Sequence, residues 1–349
     1  MDKTNGNRIR WIDAARGLAM CMIVFGHAIP GGMVKQFFYS FHVPVFFFLS
    51  GLLFRGGREK SFWDFLKKEF RAVLVPYYLA ALISIGIYQL FGKMAQASLH
   101  VSAKRGSIFL QLLGMLYGNC KTGYMKWNLP LWFLPCLFAV SLLGWAVDRL
   151  LILPSFKKEE KQRFLCFLAF IMVGTGIVLT DFCRIRLLPF GLETGIRMFP
   201  FFLLGMIFRE EKERLLEYGP GIKIVVLLVT FLICVYASSQ NRLVLYHKDR
   251  YGKEGLFFLG AVSGIIFVIF LGKLLEGQTW LSYIGQHTLV ILLFHKFPIL
   301  FCQVIFSPIG KLLKRNQTFV GVMVSGISIL CCLMLPVFKK KFLDKRKGL

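Results

Sequence analysis

The sequence predicts an all-α, polytopic integral membrane protein, a bundle of about ten transmembrane helices. Of its 349 residues, 56% are hydrophobic and only 17% are charged, whereas a soluble domain has about a quarter charged residues. The mean hydropathy is +0.63. The apolar residues fall into segments of about 18–25, the length at which a helix crosses roughly 30 Å of hydrocarbon. Segments of alternating polarity, the pattern of a transmembrane barrel, do not occur, so the spans must be helical.

Ten apolar segments follow one another along the chain. The segment 107–118, SIFLQLLGMLYG, is too short to span the bilayer and lies in the interface or re-enters. No linker or low-complexity tract interrupts the pattern, so we expect residues 1–349 to form a single membrane-embedded domain with no appended soluble domain. The predicted spans are 11–30, 37–54, 72–91, 129–150, 163–180, 197–208 (short, with an alternative start at 190), 221–238, 255–275, 280–304 and 318–338.

The basic residues predict the orientation of these spans. The formal net charge is +25, but no basic patch lies on a soluble domain, which argues against nucleic-acid binding. Placing both termini in the cytoplasm puts the densest basic runs, FRGGREKSFWDFLKKEFR and KKKFLDKRK, on the inner side. The first span shows no cleavage pattern and is expected to stay in the membrane. The nine cysteines, mostly in apolar runs, are expected to be core residues rather than disulfides or metal ligands.

The first predicted hairpin carries four ionisable side chains where they are energetically expensive. At 1.5 Å per residue, Arg16 lies about 7–8 Å from the inner face and His27 about 24 Å from it. His42, on the second span, reaches about 22 Å. Asp13 and Arg16 are spaced i, i+3 and can neutralise each other. The pattern leaves two interpretations open, a structural salt bridge with two packed histidines or a functional site.

A third histidine reaches the same predicted depth. His295 lies in the ninth span, about 22 Å from its inner end, and is followed by Lys296, which we expect to pair or to extend toward the interface. Three imidazoles can hold zinc, but no carboxylate or cysteine lies level with them, so we expect no metal. General acid–base catalysis fits better, because neutral imidazole tolerates burial and titrates near physiological pH.

The inner loop after the second span is strongly basic. It either sets the topology or binds a phosphate-rich cytoplasmic ligand through charge-assisted hydrogen bonds. Its basic residues include Arg55, Arg58, Lys67, Lys68 and Arg71.

These motifs, taken in order, resemble acyltransferase family 3, and in particular the branch related to fucose 4-O-acetylases. The family opens with an arginine and, after ten residues, a histidine, as do Arg16 and His27. Its inner-loop Arg-x-x-Arg element is similar both to RGGR (Arg55, Arg58) and to KEFR (Lys68, Arg71). The further similar segments are FYSFHVPVFFFLSGLLF, LPLWFLPCLF, FPFFLLG and IGQHTLVILLFH.

The resemblance implies a membrane O-acetyltransferase of a bacterial cytoplasmic membrane, which moves an acetyl or other short acyl group from cytoplasmic acetyl-CoA to a glycan or lipid-linked sugar. His27 would be the general base that activates the acceptor hydroxyl, or an acylated relay. His42 and His295 would orient His27 or protonate the leaving thiolate. Asp13 would hold Arg16, which would steady the pantetheine arm or the thioester. The CoA phosphates would bind Arg55, Arg58, Lys68 and Arg71.

Acceptor recognition is expected on the outer side, near Trp132, Glu193 and Arg197. Trp132 would stack on a sugar ring, although interfacial aromatic belts explain such a residue equally well. Glu193 and Arg197, spaced i, i+4, are alternatively a helix-end ion pair. The chief functional alternative is a secondary transporter or lipid-linked glycan flippase, which also uses intramembrane ionisable residues. It predicts matching halves with broken helices, and no two-fold pattern is evident.

Overall fold

The computed structural model describes residues 9–29, 31–56, 61–99, 107–123, 125–152, 157–306 and 317–347. No β-strand occurs in these ranges, and short 3-10 and π segments join or extend some of the helices. The α-helices are α1 (Arg10–Ala28), α2 (Met33–Tyr39), α3 (His42–Leu53), α4 (Phe62–Glu69), α5 (Val75–Leu99), α6 (Ile108–Tyr117), α7 (Phe133–Ile152), α8 (Lys158–Ile177), α9 (Leu192–Leu216), α10 (Pro220–Gln240), α11 (Glu254–Leu274), α12 (Thr279–Gln286), α13 (Thr288–Phe294), α14 (Lys296–Phe306) and α15 (Gln317–Lys347).

The predicted all-α, polytopic membrane bundle is confirmed. Eight helical segments of the described chain are long and apolar enough to cross a membrane. A ninth is the pair α13 and α14, if the 48° bend between them belongs to one broken span. The remaining predicted span, the first in the chain, is α1, a continuous helix of 19 residues that is not among the eight. Its ionisable side chains lower its hydropathy, and the helix is stabilised by packing within the bundle.

Two close helix contacts build the centre of the bundle. Helix α3 packs along α9, and a Cβ atom at Gly51 would lie 1.9 Å from the carbonyl oxygen of Phe202. Helix α1 packs along α12, where a Cβ atom at Gly285 would lie 1.8 Å from the carbonyl oxygen of Asp13. Helix–helix packing in lipid depends on such small residues, because backbones approach closely only there. The contact with α12 brings the polar start of α1 beside α13.

The outer helices present apolar side chains to the surroundings. On α8, Phe170 is 79% exposed, and on α10, Leu232 is 63% exposed. The same two helices are the least buried of the eight long apolar segments. A surface of this kind suits contact with hydrocarbon, while α3, α7 and α9 form the interior.

Three predicted spans differ from the observed helices in ways that matter for the site. The span predicted at 37–54 is two helices, α2 and α3, which meet at Ser40 and Phe41. The span predicted at 280–304 is broken into α12, α13 and α14. Helix α9 begins at Leu192, close to the alternative start at 190 of the span predicted at 197–208, and it extends to Leu216. Its first turns carry ionised side chains, which hydropathy counts as unfavourable but which are paired inside the protein.

Candidate active site

A first cavity of about 460 Å³ opens at the end of the bundle where α1 begins. Arg16 lines it from α1, and its guanidinium Nη2 donates a hydrogen bond of 3.2 Å to the Thr288 hydroxyl, the first residue of α13. Arg55 and Lys68 line the same cavity from the basic loop and from α4. Three cationic side chains and one acidic side chain, that of Glu69, therefore line one cavity, at the side where the sequence predicts the cytoplasm.

A second cavity, of about 210 Å³, lies toward the other end of α1. It is lined by both predicted histidines of the first hairpin, His27 and His42, and by Trp132, which is predicted to bind a sugar. Part of its wall is the loop 241–253, which joins α10 to α11. Further polar side chains that line it are Lys35, Tyr39, Tyr246 and His247.

The three predicted histidines are connected by contacts that run through His27 and Tyr39. The ring centroids of His27 and His295 are 5.3 Å apart. The Tyr39 hydroxyl lies 3.3 Å from Nδ1 of His27, and its ring lies 4.6 Å from that of His42. The structure thus brings together the histidines of the first, second and ninth predicted spans, with a tyrosine between two of them.

Backbone carbonyls hold two of these histidines in a defined tautomer. Nδ1 of His42 lies 2.8 Å from the Phe38 carbonyl oxygen, and Nδ1 of His295 lies 2.8 Å from that of Ile291. Since a carbonyl only accepts, each Nδ1 carries the hydrogen and each Nε2 presents a lone pair. Nδ1 of His27 instead faces a hydroxyl, which both donates and accepts. His27 is therefore the member of the cluster best able to exchange a proton.

His295 owes its position to the break between α13 and α14. The bend there is 48°, and a bend in lipid leaves carbonyl oxygens that need new partners. The Asn128 side chain donates hydrogen bonds to the Leu293 carbonyl (2.9 Å) and to the Ser84 hydroxyl (3.2 Å). Nε2 of His295 is buried and has no hydrogen-bond partner in the described part of the chain.

The four predicted donor-site residues do not share one environment. Arg55 and Lys68 line the first cavity. Arg71 instead lines a shallow surface site with Lys68 and Lys67. Arg58 lies outside the described residues. One basic residue from each of the two candidate motifs, RGGR and KEFR, therefore lines the cavity that Arg16 also lines, together with Glu69 of KEFR.

Glu193 belongs to a buried ion-pair network. Its carboxylate is 2.6 Å from Nζ of Lys121 and accepts a 2.8 Å hydrogen bond from the Asn119 amide. Lys121 also pairs with Asp249, which lies in the loop 241–253. The Glu193 side chain is fully buried and lines neither cavity. It fixes the loop that forms a wall of the second cavity.

Arg197 is likewise fully buried and lines neither cavity. Its guanidinium pairs with Glu254, lies 3.5 Å from the Asp181 carboxylate and packs 4.4 Å from the ring centre of Tyr251. The i, i+4 interpretation predicted an ion pair between Glu193 and Arg197. In the structure each of them pairs with a different residue instead. The ion pairs of both residues connect α9 to the loop 241–253 and to the first residue of α11.

Asp13 lies beside α12, where its carboxylate accepts a 3.3 Å hydrogen bond from the Gln286 amide. It lines neither cavity, so its predicted role of holding Arg16 remains a prediction. The zinc interpretation has no support here, since no group of three His, Cys, Asp or Glu side chains arranged for a metal is found among the described residues.

Three residues of the site were not predicted from the sequence. Tyr39 lies three residues before His42, so the helical i, i+3 spacing was available as a signal. Asn128 directly precedes the span predicted at 129–150, in the segment NLPLW, where a polar amide beside an apolar run was available as a signal. Thr288 carries no sequence signal, because its pairing with Arg16 depends on how α13 packs against α1.

A comparison with known protein families identifies the family of the chain. A family model described as the acyltransferase domain of acyltransferase family 3 matches residues 9–338. The match confirms the resemblance at the level of the family. It does not extend to the branch of the fucose 4-O-acetylases, and it lends no support to the transporter or flippase alternative. No curated protein and no solved structure matches the chain.

Proposed function

Because the chain belongs to acyltransferase family 3, and is therefore a membrane acyltransferase, we propose that it transfers an acetyl or other short acyl group from acyl-CoA to a hydroxyl group of a glycan or lipid-linked sugar. The donor binds in the first cavity and the acceptor in the second. We place the protein in a bacterial cytoplasmic membrane with both termini inside, so that the first cavity faces the side where acyl-CoA is made.

One observation carries this proposal. A cationic cavity and a histidine-lined cavity lie at opposite ends of α1 and meet inside the bundle, since Met20, Phe46, Phe133 and Leu292 line both. Arg16 and His27, eleven positions apart, project from the same helix into the two cavities. A reaction between a cytoplasmic donor and an extracytoplasmic acceptor needs this separation.

On the donor side, Arg55 and Lys68 hold the phosphates of CoA, because guanidinium and ammonium groups form charge-assisted hydrogen bonds with phosphate oxygens. Arg16 lies deeper, toward the second cavity, and steadies the pantetheine arm of the donor by donating hydrogen bonds to its carbonyl oxygens. Its contact with Thr288 holds the guanidinium in place. Arg71 serves at the surface, where it attracts the anionic donor.

On the acceptor side, His27 acts as the general base. It removes the proton of the acceptor hydroxyl, whose oxygen then attacks the thioester carbonyl carbon. The carbon–sulfur bond breaks, and the CoA thiolate takes the proton from the His27 imidazolium. Tyr39 orients the ring through its contact with Nδ1, and the lone pairs of the His42 and His295 Nε2 atoms stabilise the imidazolium. Trp132 packs against the sugar.

Two measurements test the proposal. Mass spectrometry of surface glycans and lipid-linked sugars from cells with and without the chain should reveal the loss of one acyl unit when the chain is absent. Isothermal titration of the purified full-length protein with acetyl-CoA should show saturable binding, which a transporter of glycans does not require. Unchanged glycans together with no binding of acetyl-CoA would overturn the proposal.

A further inference from the structure

The two cavities meet at four apolar side chains that we call the collar: Met20, Phe46, Phe133 and Leu292. They come from four different helices, α1, α3, α7 and α13. None is more than 9% exposed. Every other side chain that lines the cavities belongs to one of them alone.

The chemistry of the collar is unlike that of the cavities that it joins. Arginine and lysine side chains line the first cavity, and histidine, lysine and tyrosine side chains line the second. The collar offers no hydrogen-bonding side chain, so a phosphate or a sugar that entered it would lose hydration without compensation. Of the two proposed substrates, the acyl chain is the part that such a ring stabilises.

We propose that the collar binds the acyl chain of the donor and sets its maximum length. This inference rests on the proposed function, in which the thioester approaches His27 from the first cavity. In an acyl thioester the carbonyl carbon lies between the CoA sulfur and the acyl chain, so an acetyl group in the collar has its carbonyl carbon among the four side chains and its methyl group toward the second cavity. A longer chain extends past the collar into the second cavity, where it occupies the space that the acceptor needs, or holds the carbonyl back in the first cavity.

The packing of the collar indicates which residue limits the length. Phe46 and Phe133 meet edge to face with ring centroids 6.0 Å apart, and Phe133 is also packed 5.1 Å from Phe47. These rings are fixed by neighbours on two helices. Met20 is unbranched and adapts its shape readily. Leu292 is the branched aliphatic side chain of the collar, on the short α13, and is the side chain whose size is changed with the least disturbance.

The test compares Leu292→Ala and Leu292→Phe with Leu203→Ala. Leu203 is a fully buried leucine of α9 that lines neither cavity, so its truncation is a matched control. The purified full-length proteins are titrated with CoA, acetyl-CoA, butyryl-CoA and hexanoyl-CoA. The affinity for CoA without an acyl group reports whether each variant is folded and has an intact phosphate site.

We expect the wild type to bind acetyl-CoA in preference to the longer donors. Each buried methylene contributes about fourfold to affinity. We therefore expect Leu292→Ala to raise the affinity for butyryl-CoA, relative to that for acetyl-CoA, by about tenfold. Leu292→Phe should bind butyryl-CoA more weakly than the wild type does, and Leu203→Ala should keep the wild-type preference for acetyl-CoA.

Two outcomes would overturn the inference, and they are distinguishable. If all proteins bind CoA and acetyl-CoA but the preference is the same in the Leu292 variants as in the wild type, the collar does not select the chain and the proposed function stands. If the wild type binds none of the four compounds, the donor site itself is wrong and the collar inference fails with it. If Leu292→Ala has lost CoA binding, the variant is misfolded or its donor site is damaged, and Leu292→Phe then provides the test. A preference for acetyl-CoA over butyryl-CoA that is unchanged in Leu292→Phe would overturn the inference.

Discussion

The imidazole rings of His27 and His295 lie 5.3 Å apart, although one belongs to the first helix and the other to the helix break near the end of the chain. The Ile291 carbonyl fixes Nδ1 of His295, so its buried Nε2 presents a lone pair inside the cluster. A neutral imidazole in this position stabilises positive charge on its neighbour without adding charge of its own. We therefore propose that acyl transfer depends most on His27.

Replacement of His27 by alanine should abolish acyl transfer. A positioned general base contributes about 10²–10⁴-fold to rate, so we expect a loss of at least two orders of magnitude. The measurement is the acyl content of glycans from cells that express the variant. Expression and membrane insertion, followed by immunoblotting of membrane fractions, should be unchanged.

His287→Gln is the matched control for that experiment. His287 lies at the junction of α12 and α13, bonds to the Tyr283 carbonyl and lines neither cavity. Its replacement should leave transfer near the wild-type level. Substantial activity in His27→Ala would show that the base is another residue.

Tyr39→Phe should reduce transfer by about tenfold while donor affinity stays the same. The change removes the hydroxyl that contacts His27 and keeps the ring that packs on His42, and misorientation of a base lowers the rate without affecting a remote phosphate site. Tyr236→Phe, on an exposed face of α10, is the control. A loss of acetyl-CoA binding in Tyr39→Phe would contradict the assignment of Tyr39 to the acceptor side.

Arg55→Gln and Lys68→Gln should each weaken acetyl-CoA binding by about tenfold or more, because a hydrogen bond to a charged group is worth about 1.5–3 kcal/mol. Arg71→Gln should have a smaller effect, since Arg71 lies outside the first cavity. Isothermal titration at low and high salt measures all three. A larger effect at Arg71 than at Arg55 would move the phosphate site to the surface near α4.

The sequence was sufficient to predict the fold class and the grouping of the histidines, because both depend on regular geometry. A rise of 1.5 Å per residue places His27, His42 and His295 at one depth whatever the details of packing. The same rule separates Arg16 from His27. These predictions needed no knowledge of which helices are neighbours.

The partners of buried charges were not predictable in this way. Glu193 and Arg197 share one helix face, but their partners, Lys121 and Glu254, come from distant parts of the chain. The sequence leaves the start of helix α9 open between 190 and 197 for the same reason, since hydropathy counts a charge and ignores its partner. The choice between RGGR and KEFR also required the fold, because Arg55 and Lys68 meet only when α4 packs against the bundle.

The buried network should contribute strongly to stability. Glu193→Gln leaves Lys121 with one carboxylate instead of two, and breaking a buried ion pair costs about 3 kcal/mol or more. Thermal unfolding in detergent should show a lower Tm, and hydrogen exchange in the loop 241–253 should accelerate. Glu276→Gln is the control, because its 2.9 Å pair with Lys273 is partly exposed and is worth at most about 1 kcal/mol. If Glu193→Gln and Glu276→Gln lower the Tm equally, the buried network does not contribute strongly to stability.

The loop 241–253 should also make stability depend on pH. Burial, together with the nearby cations Lys248 and Lys121, lowers the pKa of His247 from 6.5 to about 4, although the Asp249 carboxylate opposes the shift. Between pH 6.5 and 4 the unfolded chain takes up a proton that the folded chain does not, so this contribution to stability declines as the pH falls through that range. His247→Gln, which stays neutral, should show a smaller decline in Tm over the same range. If the two profiles coincide, another group causes the loss.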